Sequence, residues 1–213
     1  MSLLLQDIRL SLPGQVLLSS FSLTVAPGEI VSLMGPSGCG KSSLLAYICG
    51  IAHESLSTQG HIFIDGQQIN GRPAHQRPIG LMFQDDLLFP HMSVAGNLAF
   101  ALPRHLSGKE RRQRVEDALN RAQLPGQGQA RPDQLSGGER ARVSLMRTLL
   151  AEPRALLLDE PFSRLDARLR QQVRQFVFDQ ARRKGIPTLL VTHDEQDCHG
   201  RVISLDTRRT NDA

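Results

Sequence analysis

Short apolar runs alternate with longer amphipathic stretches along most of the chain. The runs that predict β-strands lie at 21–25, 29–34, 61–65, 79–83, 155–159, 187–191 and 201–205. Several of them are continuously apolar over much of their length, which is typical of parallel strands covered on both faces of a sheet. Helical periodicity predicts α-helices at 41–49, 107–123, 137–151 and 165–184. Because helices precede the last strands, the pattern predicts an α/β fold built from βαβ units.

The pattern changes between residues 86 and 150, where helical stretches are broken at 124–132 and no convincing strand occurs. We therefore predict a mostly helical insertion at 86–150 within an α/β core formed by 1–85 and 151–213. A chain of 213 residues is long enough for one such domain with a substantial hydrophobic core.

Composition narrows the class of protein. The chain is 40% hydrophobic and 22% charged, and its apolar runs are far shorter than the roughly 20 residues of a membrane-spanning helix. The N-terminus lacks the basic segment and cleavage site of a signal peptide, and the cysteines form no CxxC pair, which suits a reducing compartment. Any membrane role would therefore need a partner.

The net charge of +4 does not indicate a nucleic-acid partner. Basic clusters at 110–114 and 181–185 lie among acidic and polar residues at helical spacing, and aromatic residues make up only 4% of the chain. We interpret both clusters as solvated helix faces and expect no nucleic acid. The seven histidines are scattered, so we expect no structural metal site.

A glycine-rich stretch, GPSGCGKSS at 35–43, lies between the predicted strand 29–34 and the helix that begins at Lys41. It fits the pattern G-x-x-x-x-G-K-[ST] in the strand–loop–helix context that a phosphate-binding loop (P-loop) requires, although an ordinary glycine-rich turn is the alternative. We predict that Lys41 reaches the β- and γ-phosphates of a nucleotide and that the Ser42 hydroxyl ligates Mg²⁺. The predicted nucleotide-binding residues are Gly35, Pro36, Ser37, Gly38, Cys39, Gly40, Lys41, Ser42 and Ser43.

Two predicted strands end in side chains suited to phosphate chemistry. ALLLDEP at 155–161 contains Asp159 and Glu160, and TLLVTHDE at 188–195 contains His193. Ligands of α/β sheets bind beyond the carboxyl ends of strands, so we expect these groups beside the P-loop. We predict that Asp159 holds Mg²⁺ through water, that Glu160 orients the attacking water, and that His193 contacts the γ-phosphate. The alternatives are a solvated Glu160 and a structural His193.

With these residues in place, the chain resembles the ATP-binding cassette (ABC) ATPases, specifically the nucleotide-binding subunits of prokaryotic transporters. The resemblance rests on five ordered motifs, which are GPSGCGKSS, Gln84 in GLMFQDD, LSGGER at 135–140, LLLDEP with SRLD at 163–166, and THD at 192–194. It implies a P-loop NTPase core of ABC ATPase type with an inserted α-helical subdomain and an N-terminal antiparallel β region. It also implies hydrolysis of ATP with Mg²⁺.

In that family the LSGG segment faces the P-loop of a second subunit, and two ATP molecules are enclosed in a head-to-tail homodimer. Ser136, Gly137 and Gly138 would thus reach the γ-phosphate held by the partner, because glycines expose the N–H groups of a helix N-terminus. Asp166 is expected to cross the dimer interface. Gln84 is implied to sense Mg²⁺ and the γ-phosphate and to move the helical insertion. ATP binding would close the dimer, and hydrolysis would release it.

The segment 85–100 looks like the surface on which importer subunits receive a helix of an integral membrane subunit. Its apolar side chains, at positions where a loop is normally polar, are Leu87, Leu88, Phe89 and Met92. The alternative is that they simply pack the helical insertion. The expected complete system also contains a solute-binding protein. The resemblance places this chain in the cytoplasm, on the inner face of the plasma membrane.

Two positions depart from the family pattern. Leu12 stands where an aromatic residue usually stacks on adenine, which predicts weaker nucleotide affinity and poorer adenine selectivity. Glu139 stands where glutamine is common, and we expect no loss of activity from it. Because the chain stops soon after RVISLD at 201–206, we expect no C-terminal regulatory domain.

Other functions explain fewer of these residues. A soluble ABC ATPase acting on DNA or ribosomes is the main alternative, but its usual coiled-coil insertion, zinc-binding cysteines or second cassette are not in the sequence. A P-loop kinase, or a nucleotide-binding module without hydrolysis, conflicts with Glu160, His193 and LSGG together.

Overall fold

The computed structural model describes residues 1–163 and 165–205, and their contacts group the chain into two units. The sheet unit comprises Met1–Leu81, Arg154–Glu160 and the chain from Gln180 onward. The helical unit comprises Met82–Pro153 and Pro161–Asp179. The helical unit thus takes in a segment after Glu160 in addition to the stretch that lacks predicted strands.

Two sheets lie in the sheet unit. Their strands, in chain order, are β1 (Leu3–Leu12), β2 (Gln15–Val25), β3 (Ile30–Met34), β4 (Ser57–Ile64), β5 (Gln67–Gln68), β6 (Ile79–Met82), β7 (Ala155–Asp159), β8 (Thr188–Thr192) and β9 (Arg201–Ser204). The first sheet is antiparallel, in the order β2-β1-β4-β5, and confirms the expected N-terminal β region. Register shifts along β1 let Leu5, Ile8 and Leu10 all reach the core despite their uneven spacing.

The second sheet has the order β6-β7-β8-β3-β9, and β8 pairs in parallel with both β7 and β3. Both β7 and β8 are buried along almost their whole length, which explains the continuous apolar runs 155–158 and 189–191 within them. Met34 pairs with Thr192 and Asp159 pairs with Val191, so three parallel strands end almost in one row. Residues that follow these strands therefore meet at one edge of the sheet.

The α-helices, in chain order, are α1 (Lys41–Cys49), α2 (Val94–Phe100), α3 (Gly108–Arg121), α4 (Gly137–Leu150) and α5 (Ala167–Arg183). The predicted bounds of α1 are confirmed, and α3, α4 and α5 lie within their predicted ranges. Between 86 and 150, the described chain contains helices and turns but no strand. In the part of the chain that the structure describes, no helix combines the length and hydropathy needed to span a bilayer.

The C-terminal end of α1 is held by a single guanidinium group. Arg77 donates hydrogen bonds to the carbonyl oxygens of Tyr47 at 2.8 Å and Ile48 at 2.7 Å, and also to those of Arg72 and Asn70. The last carbonyls of a helix otherwise lack partners, and a cation there complements the helix dipole. Arg77 therefore anchors the helix that begins at the P-loop.

Candidate active site

The loop between β3 and α1 needs glycine for both its backbone and its space. Gly38 and Gly40 have φ of +81° and +95°, in the left-handed region that only glycine adopts without strain. Gly40 caps α1, and its carbonyl oxygen accepts the Leu44 N–H at 2.8 Å. A Cβ at Gly40 would lie 3.0 Å from the Cβ of Leu17 on β2. The loop is therefore curled tightly against the antiparallel sheet.

Lys41 folds back over this loop. Its side chain is buried, and Nζ donates hydrogen bonds to the carbonyl oxygens of Gly35 at 2.7 Å and Pro36 at 2.8 Å. The ammonium group thus sits beside the N-terminus of α1, where the helix dipole is also positive. The combination of a glycine-rich loop, a helix N-terminus and an ammonium group is suited to a polyphosphate.

Asp159 and Ser42 meet at the edge of the parallel sheet. The Ser42 hydroxyl donates to Oδ1 of Asp159 at 3.2 Å. Burial raises the pKa of the Asp159 carboxyl, the neighbouring Glu160 adds to the rise, and the hydrogen bond from Ser42 opposes it. A hydroxyl and a half-buried carboxylate are hard oxygen donors, so this pair fits the ligand preference of Mg²⁺.

Glu160 and His193 form the other pair at this edge. Nδ1 of His193 lies 2.9 Å from Oε1 of Glu160, and the Glu160 N–H donates to the carbonyl oxygen of Val191 at 3.0 Å. Glu160 has φ of +46°, a left-handed conformation that is strained for a residue with a side chain. The hydrogen bond to β8 fixes the backbone of Glu160, and the contact with His193 fixes its carboxylate. The prediction that Glu160 and His193 share one site with the P-loop is consistent with this geometry.

A cleft of about 520 Å³ lies at the P-loop and reaches Glu160. It is lined by predicted site residues, namely Ser37, Gly38, Gly40, Lys41, Ser42, Ser43 and Glu160. Its remaining walls are Leu12, Gln15 and Leu17. Leu12 and Gln15 pair across the turn between β1 and β2, and both line the cleft, while the place of Leu12 beside adenine stays a prediction. Gln15 and Leu17 were not predicted, although the turn signal Pro13-Gly14 could have placed them beside Leu12.

Other predicted site residues belong to the helical unit. Ser136 caps α4, and Glu139 closes a capping box in which its Oε2 accepts from the Ser136 N–H at 2.8 Å and the Ser136 hydroxyl at 2.7 Å. These hydrogen bonds lower the pKa of the Glu139 carboxyl. Glu139 thus stabilises the first turn of α4, which carries Gly137 and Gly138.

Gly138 also has a packing role. A Cβ at Gly138 would lie 2.4 Å from Cδ1 and 2.5 Å from Cγ of Leu169 on α5. At Gly137 the nearest heavy atom would be 3.8 Å away, which is an ordinary contact. The close approach of α5 therefore requires glycine at Gly138 but not at Gly137.

Asp166 and Gln84 take different positions in the helical unit. Oδ1 of Asp166 accepts the Leu169 N–H at 3.1 Å, which places this carboxylate at the start of α5. Gln84 lies in an exposed bend after β6. Arg164, which belongs to the SRLD motif, lies outside the described residues.

The apolar loop after Gln84 is partly packed. Phe89 contacts Phe100 edge to face with ring centroids 4.9 Å apart, and its backbone hydrogen-bonds to the buried amide of Asn97. Leu87 is 54% exposed and has φ of +46°. Packing thus explains Phe89, whereas Leu87 is displayed to solvent.

A P-loop between a parallel strand and a helix, with acids at the ends of neighbouring strands, defines a P-loop nucleotide-binding protein. The family model described as ABC transporter matches residues 18–163. The chain is 51% identical to the uncharacterized ABC transporter ATP-binding protein YnjD of Escherichia coli, over 96% of this chain and 94% of that protein. It is 44% identical to the Fe(3+) ions import ATP-binding protein FbpC 1 of Rhizobium meliloti, over 83% of this chain and 49% of that protein. The chain therefore spans about half the length of that iron-import relative.

Two solved structures share the fold. One is a bacterial ABC transporter cassette in dimeric form, with a TM-score of 0.78 and 29% identity over 95% of this chain and 93% of that chain. The other is a dimeric post-hydrolysis state of an ATP-binding cassette bound to ADP and Pi, with a TM-score of 0.77 and 30% identity over the same shares. The chain belongs to the ABC transporter family. The predicted ABC ATPase fold and the ATP-binding cassette class are thereby confirmed.

Proposed function

We propose that this ATP-binding cassette hydrolyses ATP between two head-to-tail copies and so powers transport by a membrane partner. The observation that carries the proposal is the 2.9 Å contact between Glu160 and His193 at the rim of the P-loop cleft. A carboxylate in this position, beside a loop suited to phosphates, has the geometry of a group that handles the attacking water.

The P-loop binds the triphosphate. Backbone N–H groups of 35–43 and the ammonium of Lys41 neutralise the β- and γ-phosphates. Ser42 and Asp159 would hold Mg²⁺, with Gln84 as a further ligand. When bound, Mg²⁺ supplies positive charge to the phosphate oxygens.

Glu160 positions the water that attacks the γ-phosphorus. A bond forms between the water oxygen and phosphorus, the bond from phosphorus to the bridging oxygen of ADP breaks, and Glu160 accepts a proton from the water. The hydrogen bond to His193 orients the carboxylate, and His193 contacts the γ-phosphate. The fold supports this assignment, because β3, β7 and β8 end at the same edge of the parallel sheet.

The second copy completes the site. We propose that Ser136, Gly137 and Gly138 of one copy contact the γ-phosphate bound by the other, and that Asp166 lies at the interface. The dimeric form of the similar cassettes supports this arrangement. Residues 1–213 then act as one ATPase domain.

The partner is an integral membrane subunit, and we propose an importer, served by a solute-binding protein. The iron-import relative supports import, and the exposed Leu87 after Gln84 supports a docking surface for the membrane subunit. The chain would accordingly work in the cytoplasm on the inner face of the membrane. The cargo is then selected by the partners.

The experiment is Glu160→Gln, which keeps the size of the side chain but removes its basicity. We expect the turnover rate to fall by about 10²–10⁴-fold while ATP still binds and the dimer is trapped. Glu54→Gln, at an exposed glutamate of the same unit, is the matched control and is expected to turn over normally. A Glu160→Gln chain that hydrolyses ATP at the native rate would overturn the proposal.

A further inference from the structure

Side chains on one face of α4 donate hydrogen bonds to Asp86, which lies two positions after Gln84. Nε of Arg140 donates to Oδ2 of Asp86 at 3.0 Å, and the Ser144 hydroxyl donates to the Asp86 carbonyl oxygen at 2.9 Å. Nη2 of Arg147 donates to the same carbonyl oxygen at 3.2 Å. Arg140, Ser144 and Arg147 are spaced i, i+4 and i+7, so they lie along one stripe of the helix.

The attachment extends beyond Asp86. Nη1 of Arg147 donates to the carbonyl oxygen of Leu87 at 2.8 Å, and its guanidinium carbon lies 5.5 Å from the centroid of the Phe89 ring. Arg140 also donates to the carbonyl oxygen of Leu135, just before the first turn of α4. The same guanidinium thus contacts both the loop after Gln84 and the segment that leads into Ser136. A set of contacts shared by two elements makes them move together more than a single exposed ion pair would.

We propose that Asp86 is a positioning residue, which fastens the loop after Gln84 to α4 so that a displacement of the loop moves the turn bearing Ser136, Gly137 and Gly138. This inference rests on the proposed head-to-tail closure, in which that turn contacts the ATP of the partner. Asp86 does not touch the nucleotide bound by its own P-loop in this scheme. Substitution of Asp86 removes its ion pair with Arg140, whereas the hydrogen bonds from Ser144 and Arg147 to backbone carbonyl oxygens remain. Closure of the dimer is therefore expected to weaken, and ATP binding by the single copy is expected to stay intact.

The test measures ATP-driven dimerisation of the full chain in the Glu160→Gln background, by analytical ultracentrifugation. Asp86→Arg and Arg140→Asp are each expected to weaken dimerisation on the order of tenfold, which is a typical coupling effect. The double variant restores the ion pair with reversed charges, although not the hydrogen bond from Arg140 to Leu135, and is expected to recover part of the loss. Affinity for a fluorescent ATP analogue, measured on dilute monomer, is expected to stay within about twofold, because neither substituted residue is among those that bind the nucleotide of its own P-loop in this proposal.

Arg114→Ala is the matched control, because Arg114 forms an ion pair with Glu152 in the same unit. We expect it to leave dimerisation unchanged. Where Asp86→Arg fails to fold, Asp86→Asn keeps the shape of the side chain and removes its charge, and a few-fold loss of dimerisation is expected.

The outcomes separate the two proposals. If Glu160→Gln alone fails to dimerise with ATP, the proposed function is wrong. If it dimerises while Asp86→Arg or Asp86→Asn dimerises equally well, or the double variant shows no recovery, the positioning role of Asp86 is wrong. An equal loss of dimerisation in Arg114→Ala would also contradict the positioning role of Asp86, because the effect would then not be specific to the ion pair between Asp86 and Arg140.

Discussion

Replacing Gly138 with alanine tests the tightest packing in the first turn of α4. The new Cβ would lie 2.4, 2.5 and 2.6 Å from Cδ1, Cγ and Cδ2 of Leu169, so the branch point of that side chain must move as well as its tips. Overpacking of this kind costs about 1–3 kcal/mol. Alanine is better than glycine inside a helix by at most about 1 kcal/mol. With the gain set against the cost, we expect Gly138→Ala to lower the free energy of unfolding by up to about 2 kcal/mol.

Urea unfolding followed by circular dichroism measures this loss. Gly137→Ala is the matched control, because its Cβ meets only ordinary contacts at 3.8 and 3.9 Å. Its free energy of unfolding is expected to stay within about 0.5 kcal/mol of the native value or to rise. Leu169→Ala combined with Gly138→Ala makes room for the Cβ, so the double variant is expected to be more stable than the two single changes predict, by about 1 kcal/mol.

If Gly138→Ala unfolds at the same urea concentration as Gly137→Ala, the Cβ at position 138 does not clash with Leu169. Strict additivity of Gly138→Ala and Leu169→Ala would refute the clash equally, because residues that clash must show an interaction energy. In either case Gly138 would be explained only by its proposed approach to a phosphate.

Two further predictions concern Leu12 and Glu139. Leu12→Tyr is expected to tighten ATP binding by about 5- to 150-fold, since stacking on a base contributes roughly 1–3 kcal/mol, and a titration that gives the native affinity would contradict this. Glu139→Gln is expected to lower stability at neutral pH, because the hydrogen bonds from Ser136 lower the pKa of Glu139 in the folded chain. That contribution is present above the usual pKa of 4.5 and is lost as the pH falls through the folded-state value, so urea unfolding of the two chains should converge in acid. A difference that is independent of pH would count against it.

Elements with a strong local signal were predictable from the sequence. α1 follows a glycine-rich loop, and β7 and β8 each contain a continuous apolar run because both faces of the sheet are covered. α2 was not singled out, since VAGNLAF is short and mixes apolar and small residues without a clear period. Ser93 is its N-cap and accepts the Gly96 N–H at 3.1 Å, a signal that could have marked its start.

Some features of the candidate site were likewise predictable from the sequence, and others were not. Asp159, Glu160 and His193 follow parallel strands, so their gathering at one edge is a rule of the fold. The capping box of Ser136 and Glu139 is also readable, because it follows the S-x-x-E pattern. The clash at Gly138 was not predictable, since Leu169 lies on another helix. The hydrogen bonds from α4 to Asp86 likewise depend on tertiary packing, which the spacing of residues in the sequence does not reveal.

The order β6-β7-β8-β3-β9 has a consequence for how such cassettes can diversify. The chain leaves the sheet after β6 and returns in β7, and these two strands are neighbours. A segment that connects two neighbouring strands can be lengthened, shortened or exchanged with little disturbance to those strands. The proposed catalytic edge can thus be inherited unchanged while the intervening segment, which carries the proposed docking surface, is remodelled.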